Sequence, residues 1–342
     1  MLALRHILFV ALACIGLSAA APAQSSPLEW VAPDGTMISG ELFLPSGTGR
    51  HPAIVLVSGS GRTPALERGF ERRASRELSQ RGFAVLSYDR RGTGASGGEF
   101  RAWTFDTLAA DLSAGIEALA AHPGIDRDRI ALIALSQGWW ISLIAESGRP
   151  QSRLLIGIGA PTTTPDIQGR YAIETALADF DPAEVDHALR LYAQQSDVIR
   201  GDIAEADYRA ALQPAMEAPW FEPVRDLLVV IPAESAFATW YRPIMDVDPL
   251  PLMRHSQSPM VLFAGGSDSI VSLEQTRSDV IALQADGIAI RLIEQDGDHD
   301  LSRRNLFGRR VWDAAVWDRL ATILAAMGSP AEAHAVVDAP RE

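Results

Sequence analysis

The chain has 342 residues, 47% of them hydrophobic, and a formal net charge of −13. That length supports one large domain with an insertion or two small domains, and the acidic balance argues against a nucleic-acid partner. All 30 basic residues are arginine, which excludes a Schiff-base lysine, a Ser-Lys dyad and a P-loop lysine together.

Residues 1–23 read as a secretory signal. Arg5 and His6 precede an apolar run over 7–17, and Ala21-Pro22-Ala23 offers a small-residue site with cleavage after Ala23. The run is too short to span a membrane comfortably, so a periplasmic or secreted protein is expected, with no stable membrane insertion after cleavage. The only cysteine, Cys14, lies inside this segment. The mature chain therefore has no disulfide, no thiol nucleophile and no thiolate metal site.

Residues 28–33 and 37–45, joined by Asp34-Gly35-Thr36, read as a β-hairpin. The apolar run 53–57 predicts a buried strand that opens onto Ser58-Gly59-Ser60-Gly61. A helix over 65–81 follows, then a strand over 83–88 that ends in Asp89-Arg90-Arg91-Gly92-Thr93-Gly94-Ala95-Ser96. Residues 104–121 predict an amphipathic helix with Leu108, Leu112, Ile116 and Leu119 on one face. The almost wholly apolar run 129–135 predicts a strand buried on both faces, broken at Ser136-Gln137-Gly138 and passing into a helix over 139–146. Another strand is expected over 154–158.

From 162 to 255 the strand–helix rhythm stops. Helical stretches (173–178, 183–194, 203–212) surround one strand-like run, 227–231, and the segment carries Trp220, Phe221, Phe237, Trp240 and Tyr241. We expect a helical insertion over the carboxyl edge of the sheet. Strands over 259–264 and 288–293 and helices over 272–285 and 310–327 resume the pattern. The predicted fold is α/β, a mostly parallel sheet with an N-terminal antiparallel hairpin. Its core comprises 28–161 and 256–328, the cap 162–255 and a loose C-terminal tail 329–342.

Ligands of an open parallel sheet bind beyond the carboxyl ends of its strands, so the loops there belong together. They supply Ser136 in a strand–turn–helix elbow, Asp268 after Gly265-Gly266-Ser267, and His299 after Asp296-Gly297-Asp298. A serine hydroxyl needs a base, an imidazole titrates near neutrality, and a carboxylate fixes its tautomer. Asp166, Asp296, Asp298 and Asp300 compete for the role of the acid. His51, His122, His187, His255 and His334 fit the base less well by position. The oxyanion formed by serine attack needs two backbone N–H groups, for which Gln137 and Ser60 are the candidates.

These loops together resemble the α/β-hydrolase superfamily, with the nearest likeness to exported bacterial esterases and acyl hydrolases and to the dienelactone hydrolase and serine aminopeptidase branches. The resemblance spans about 28–328 and implies a Ser136–His299–Asp268 triad and a helical cap. Ser58 stands where many relatives have His, and Ala134 where most have Gly. The expected function is hydrolysis of a small-molecule carboxylic ester or thioester through an acyl-enzyme, without metal or organic cofactor. An aminopeptidase-like enzyme is the first alternative, with Glu174, Glu184, Glu205, Glu217 and Glu234 available to hold a substrate ammonium. A non-catalytic binding protein on the same fold is the second. Trp139, Trp140, Trp240 and Tyr241 are expected to line an apolar acyl pocket.

Overall fold

The computed structural model describes residues 24–148 and 151–338. The expected signal segment and Cys14 lie outside the described residues. Eight strands form one sheet in the order β1-β2-β4-β3-β5-β6-β7-β8. They are β1 (Gln24–Val31), β2 (Met37–Leu44), β3 (His51–Val57), β4 (Ala84–Tyr88), β5 (Ile125–Leu135), β6 (Leu154–Ile158), β7 (Met260–Gly265) and β8 (Ile290–Gln295). β1 and β2 form the antiparallel hairpin, β2 pairs antiparallel with β4, and every pairing from β4 through β3 to β8 is parallel.

Helices cover both faces, which is why the central strands are apolar without alternation. On one face Ile54, Leu56 and Ile133 meet α1 (Gly69–Gln80) and α10 (Ala314–Ala325) through Phe70, Leu78, Trp317 and Leu320. On the other, Val55, Val57 and Leu132 meet α2 (Phe105–Ala121) and α3 (Gly138–Gly148) through Leu108, Leu112, Trp139 and Trp140. α9 (Leu273–Ala285) extends that second layer with Val280 and Leu283. Thr104 starts α2 with a reciprocal cap to Thr107, satisfying N–H groups that the first turn would leave unpaired.

Between β6 and β7 run the cap helices α4 (Pro165–Ala176), α5 (Pro182–Arg200), α6 (Glu205–Ala215), α7 (Ala236–Tyr241) and α8 (Pro249–His255). The first three share a core of their own in which Ile173, Leu191, Tyr208, Leu212, Trp220 and Phe221 are buried. α5 is bounded by chemistry visible in the chain. Asp181 and Glu184 make a capping box, and Gly201 ends the helix at φ 91°.

Three expectations are corrected. Residues 227–231 form no strand, because the side chain of Gln195 takes the place of a strand partner. Its Nε2 donates to Leu227 O and its Oε1 accepts from Val229 N–H. The last core helix begins at Ala314 rather than 310, capped by Asp313, while Arg310–Val311 (β10) pairs with Arg303–Arg304 (β9) in a small hairpin. The expected loose tail contains α11 (Pro330–Asp338), anchored by buried Ala333 and Val337, one helical turn apart.

Candidate active site

Ser136 follows β5 directly and sits at φ 52°, a left-handed conformation unusual outside glycine. Holding it there costs on the order of 1–3 kcal/mol, which the surrounding packing must offset. Its N–H donates to Ile158 O at 2.9 Å, and its own carbonyl accepts from Trp139 N–H at 2.9 Å, joining the elbow to β6 and to α3. The small residues around it are sterically required. A Cβ on Gly138 would clash with the carbonyl of Val57, and one on Gly59 would lie 3.3 Å from Ser136 Cβ. The elbow is therefore pressed against the loop that follows β3.

Asp268 and His299 come from loops beyond β7 and β8 that are zipped together by Gly266 N–H to Gln295 O and Ser267 N–H to Gly297 O, each 2.9 Å. His299 Nδ1 lies 2.8 Å from Asp268 Oδ2. The other oxygen, Oδ1, accepts from Ile270 and Val271 N–H at 2.8 and 2.9 Å, so the carboxylate is aimed by its own backbone. Its side chain is 2% exposed, against 18% for the imidazole, so the pair is sealed on the acid side and open on the base side. Gly159, one residue beyond the partner of Ser136 N–H, sits against the His299 ring, where any side chain would collide with Nδ1 and Cε1.

The rival acids have other partners. Asp166 heads α4 and accepts from Ser196 and Arg200. Asp298 and Asp300 pair with Arg310 and bond to Ser302 within their own loop. Burial pushes Asp300 up, whereas hydrogen bonds from Asp300 and Ser302, with the Arg310 charge, outweigh burial and bring Asp298 down. Asp296 is exposed.

Gln137 and Ser60 flank the elbow on two loops, and one side chain ties these loops together. Arg90, 5% exposed, donates from Nη1 to Gln137 Oε1 and from Nη2 to Gly61 O at 2.6 Å. Its acceptors are neutral, and burial followed by the nearby Arg68 charge lowers its pKa to about 10. Arg68 in turn donates to Ser60 O at 2.9 Å and Gly61 O at 3.2 Å. The sequence marks the Asp89–Ser96 loop only by its place after the strand 83–88. The available signal for Arg90 was its position just beyond the carboxyl end of β4.

A cavity of about 640 Å³ lies between this region and the cap, bordered by Ser60, Gly61, Arg90 and Gln137 on the core side. Trp240 and Tyr241 line it, with Phe237 beside them. Trp139 and Trp140 do not. They are buried in the sheet–helix core, with Trp140 stacked on Phe105 at 5.5 Å, because the elbow turns the start of α3 inward. Trp220 and Phe221 belong to the cap's own core. Phe100, Arg101 and Trp103, from the segment before α2, complete the wall and were missed because nothing local marks that segment as part of a pocket. None of Glu174, Glu184, Glu205, Glu217 and Glu234 lines the cavity; Glu184 is spent on capping α5 and Glu205 pairs with Arg209. Among the described residues, no group of three or more His, Cys, Asp or Glu side chains is arranged to hold a metal ion.

Comparison with known proteins places the chain in a family. Residues 34–300 match the sequence model of the X-Pro dipeptidyl-peptidase (S15) family. No curated protein sequence matches the chain. Among solved structures, an esterase of Pyrococcus furiosus is 17% identical with a TM-score of 0.56, covering 90% of this chain and 94% of the esterase. An α/β-hydrolase of Penicillium sp. sh18 is 20% identical with a TM-score of 0.55 over 88% of this chain and 98% of its own. An acylaminoacyl peptidase of Pyrococcus horikoshii is 15% identical with a TM-score of 0.50, covering 82% of this chain and 38% of the peptidase. At these identities the likeness establishes the α/β-hydrolase fold.

Proposed function

The chain belongs to the X-Pro dipeptidyl-peptidase (S15) family and is a hydrolase on the α/β-hydrolase fold; from that premise we propose that it is a serine esterase or thioesterase. Ser136 attacks the acyl carbon. His299 accepts its proton and returns it to the leaving group, while Asp268 holds the imidazole with Nδ1 protonated and stabilises its cation. The N–H groups of Gln137 and Ser60 receive the oxyanion, and the tie through Arg90 keeps their two loops in register. The observation that carries this reading is the 2.8 Å His299–Asp268 pair, together with a serine held at φ 52° in a strand–turn–helix elbow.

The choice of ester over peptide rests on the walls of the cavity. They are mostly apolar and aromatic, and the sole carboxylate among the described lining residues is Asp226. A peptidase that anchors a substrate ammonium needs acidic groups near the scissile bond, and the five glutamates available in the sequence stand elsewhere. The family match favours the second reading, a peptidase using the same three residues. The apolar run 7–17 followed by Ala21-Pro22-Ala23 supports export to the periplasm or beyond.

A turnover screen of p-nitrophenyl esters of graded chain length beside aminoacyl and X-Pro anilides separates the two enzymes. Faster cleavage of the anilides would give the site to the peptidase. Labelling by a fluorophosphonate, mapped to the Ser136 peptide, separates both from a non-catalytic protein, which would remain unlabelled.

A further inference from the structure

Two arginines, Arg90 and Arg101, line the cavity, and their surroundings are aromatic. Phe100 and Trp103 from the core and Phe237, Trp240 and Tyr241 from the cap form a continuous aromatic surface, with ring centroids 5.2–6.3 Å apart along it. Arg101 is set into that surface. Its guanidinium carbon lies 5.3 Å from the Phe100 centroid and 4.9 Å from those of Phe237 and Trp240. Arg62 lies 5.0 Å from Phe100, and Arg90 lies 4.8 Å from Trp103. Among the described residues neither Arg101 nor Arg62 has an acidic partner or a hydrogen bond from its side chain. Arg90 has only neutral acceptors, and its buried Nε has none.

Stacking on rings covers the faces of a guanidinium and leaves its N–H donors at the edge, the geometry that receives a carboxylate through two parallel hydrogen bonds. Arg101 is also held at φ 68°, a backbone conformation that a non-glycine residue adopts only when its surroundings impose it. Arg101 remains exposed to an incoming ligand, and partial burial, followed by the Arg62 charge, lowers its pKa.

We propose that the cavity takes an acyl group carrying a carboxylate at its far end, so that the substrates are half-esters or half-thioesters of dicarboxylic acids, with Arg101 holding the distal carboxylate. The proposal rests on the esterase reading of Ser136 and names the substrate class for that site. The reacting end lies by Ser60 and Gln137, the apolar stem crosses the aromatic wall, and the anion meets Arg101 with Arg62 nearby. Asp226, the one acidic lining residue among the described residues, carries a single negative charge against the two cations of Arg90 and Arg101 that share the lining.

The test compares kcat/KM of the full chain for p-nitrophenyl half-esters of adipic and suberic acids with the values for p-nitrophenyl esters of neutral acids of equal chain length. The half-esters should be preferred by about tenfold, since an ion pair at a partly exposed mouth is worth more than a solvated surface pair and less than a buried one. Arg101→Gln should bring the ratio close to one, mainly through KM, and high salt should shrink it in the wild type. Arg101→Glu should turn the preference towards an ester with a terminal ammonium. Because each ratio is taken on one protein preparation, a loss of folded enzyme cancels. A wild-type preference for the neutral or ammonium-bearing ester, or a ratio that Arg101→Gln leaves intact, overturns the proposal while the esterase reading stands. Failure to turn over any ester removes the esterase reading and this inference with it.

Discussion

Replacing Asp268 by Asn is the sharpest test of the mechanism, because the structure dictates which way the new amide must face. Asp268 Oδ1 accepts two backbone N–H groups, from Ile270 and Val271. An Asn whose NH₂ faced those donors would leave both unsatisfied in a buried site, at a cost of about 1–3 kcal/mol each. The amide oxygen therefore keeps the Oδ1 position, and the NH₂ is turned towards His299 Nδ1, where Oδ2 now lies 2.8 Å away. Facing a donor, Nδ1 must become an acceptor, and the ring proton moves to Nε2. An imidazole in that tautomer cannot take the proton of Ser136. The expected loss is on the order of 10⁴ in kcat, or about 5.5 kcal/mol of transition-state stabilisation. Folding stability should change little, because the amide fills the same volume and keeps both backbone bonds. The assay is p-nitrophenyl acetate turnover, on enzyme freed of contaminating esterase, beside thermal unfolding of wild type, Asp268→Asn and Asp166→Asn. The last variant should retain kcat within a few-fold, since Asp166 serves Ser196 and Arg200. An Asp268→Asn enzyme within tenfold of wild type, or an Asp166→Asn enzyme that falls as far, would refute the argument.

Other outcomes follow from the same geometry. Ser136→Ala should lose about 10⁴–10⁶ in kcat, and Ser136→Gly should be equally inactive yet about 1 kcal/mol more stable, because glycine adopts φ 52° without strain; a Gly variant that melts below the Ala variant would deny that the elbow stores strain. Trp240→Ala should shift the preferred acyl length while affecting p-nitrophenyl acetate much less, and equal depression of all esters would remove Trp240 from the acyl wall. Glu71 is 1% exposed and is pushed up by burial, with the Arg68 charge pulling partly the other way. Its folded form therefore holds a proton more tightly than the unfolded chain, so the stability tied to its neutral form is complete below the ordinary carboxyl range and is lost as pH rises through its raised value. Glu71→Gln should accordingly raise Tm more at pH 8 than at pH 4.5, and a pH-independent difference would contradict the assigned burial cost.

The sequence by itself determined a good deal of this molecule. Central strands such as 53–57 and 154–158 were legible because burial on both faces leaves an uninterrupted apolar run, a signal that needs no knowledge of partners. The elbow was legible as well, since small residues on both sides of Ser136 are demanded by a local turn. Chain order and strand ends were enough to bring Ser136, His299 and several candidate acids, Asp268 among them, to one place, because in a parallel sheet every loop after a strand lies at one edge. What remained was non-local. Several acids follow strands, and only distance separates Asp268, 2.8 Å from His299, from Asp166, which is engaged by Ser196 and Arg200. Residues 227–231 have the composition of a strand but are paired by the side chain of Gln195, a partner 32 residues from Leu227 that no local pattern reveals. Trp139 and Trp140 look as available as Trp240 and Tyr241 when read as letters. The elbow's turn sends the first pair into the core and the cap's packing brings the second pair to the cavity, together with Phe100 and Arg101. Backbone periodicity is written along the chain, whereas the direction a side chain faces depends on elements that meet only after folding.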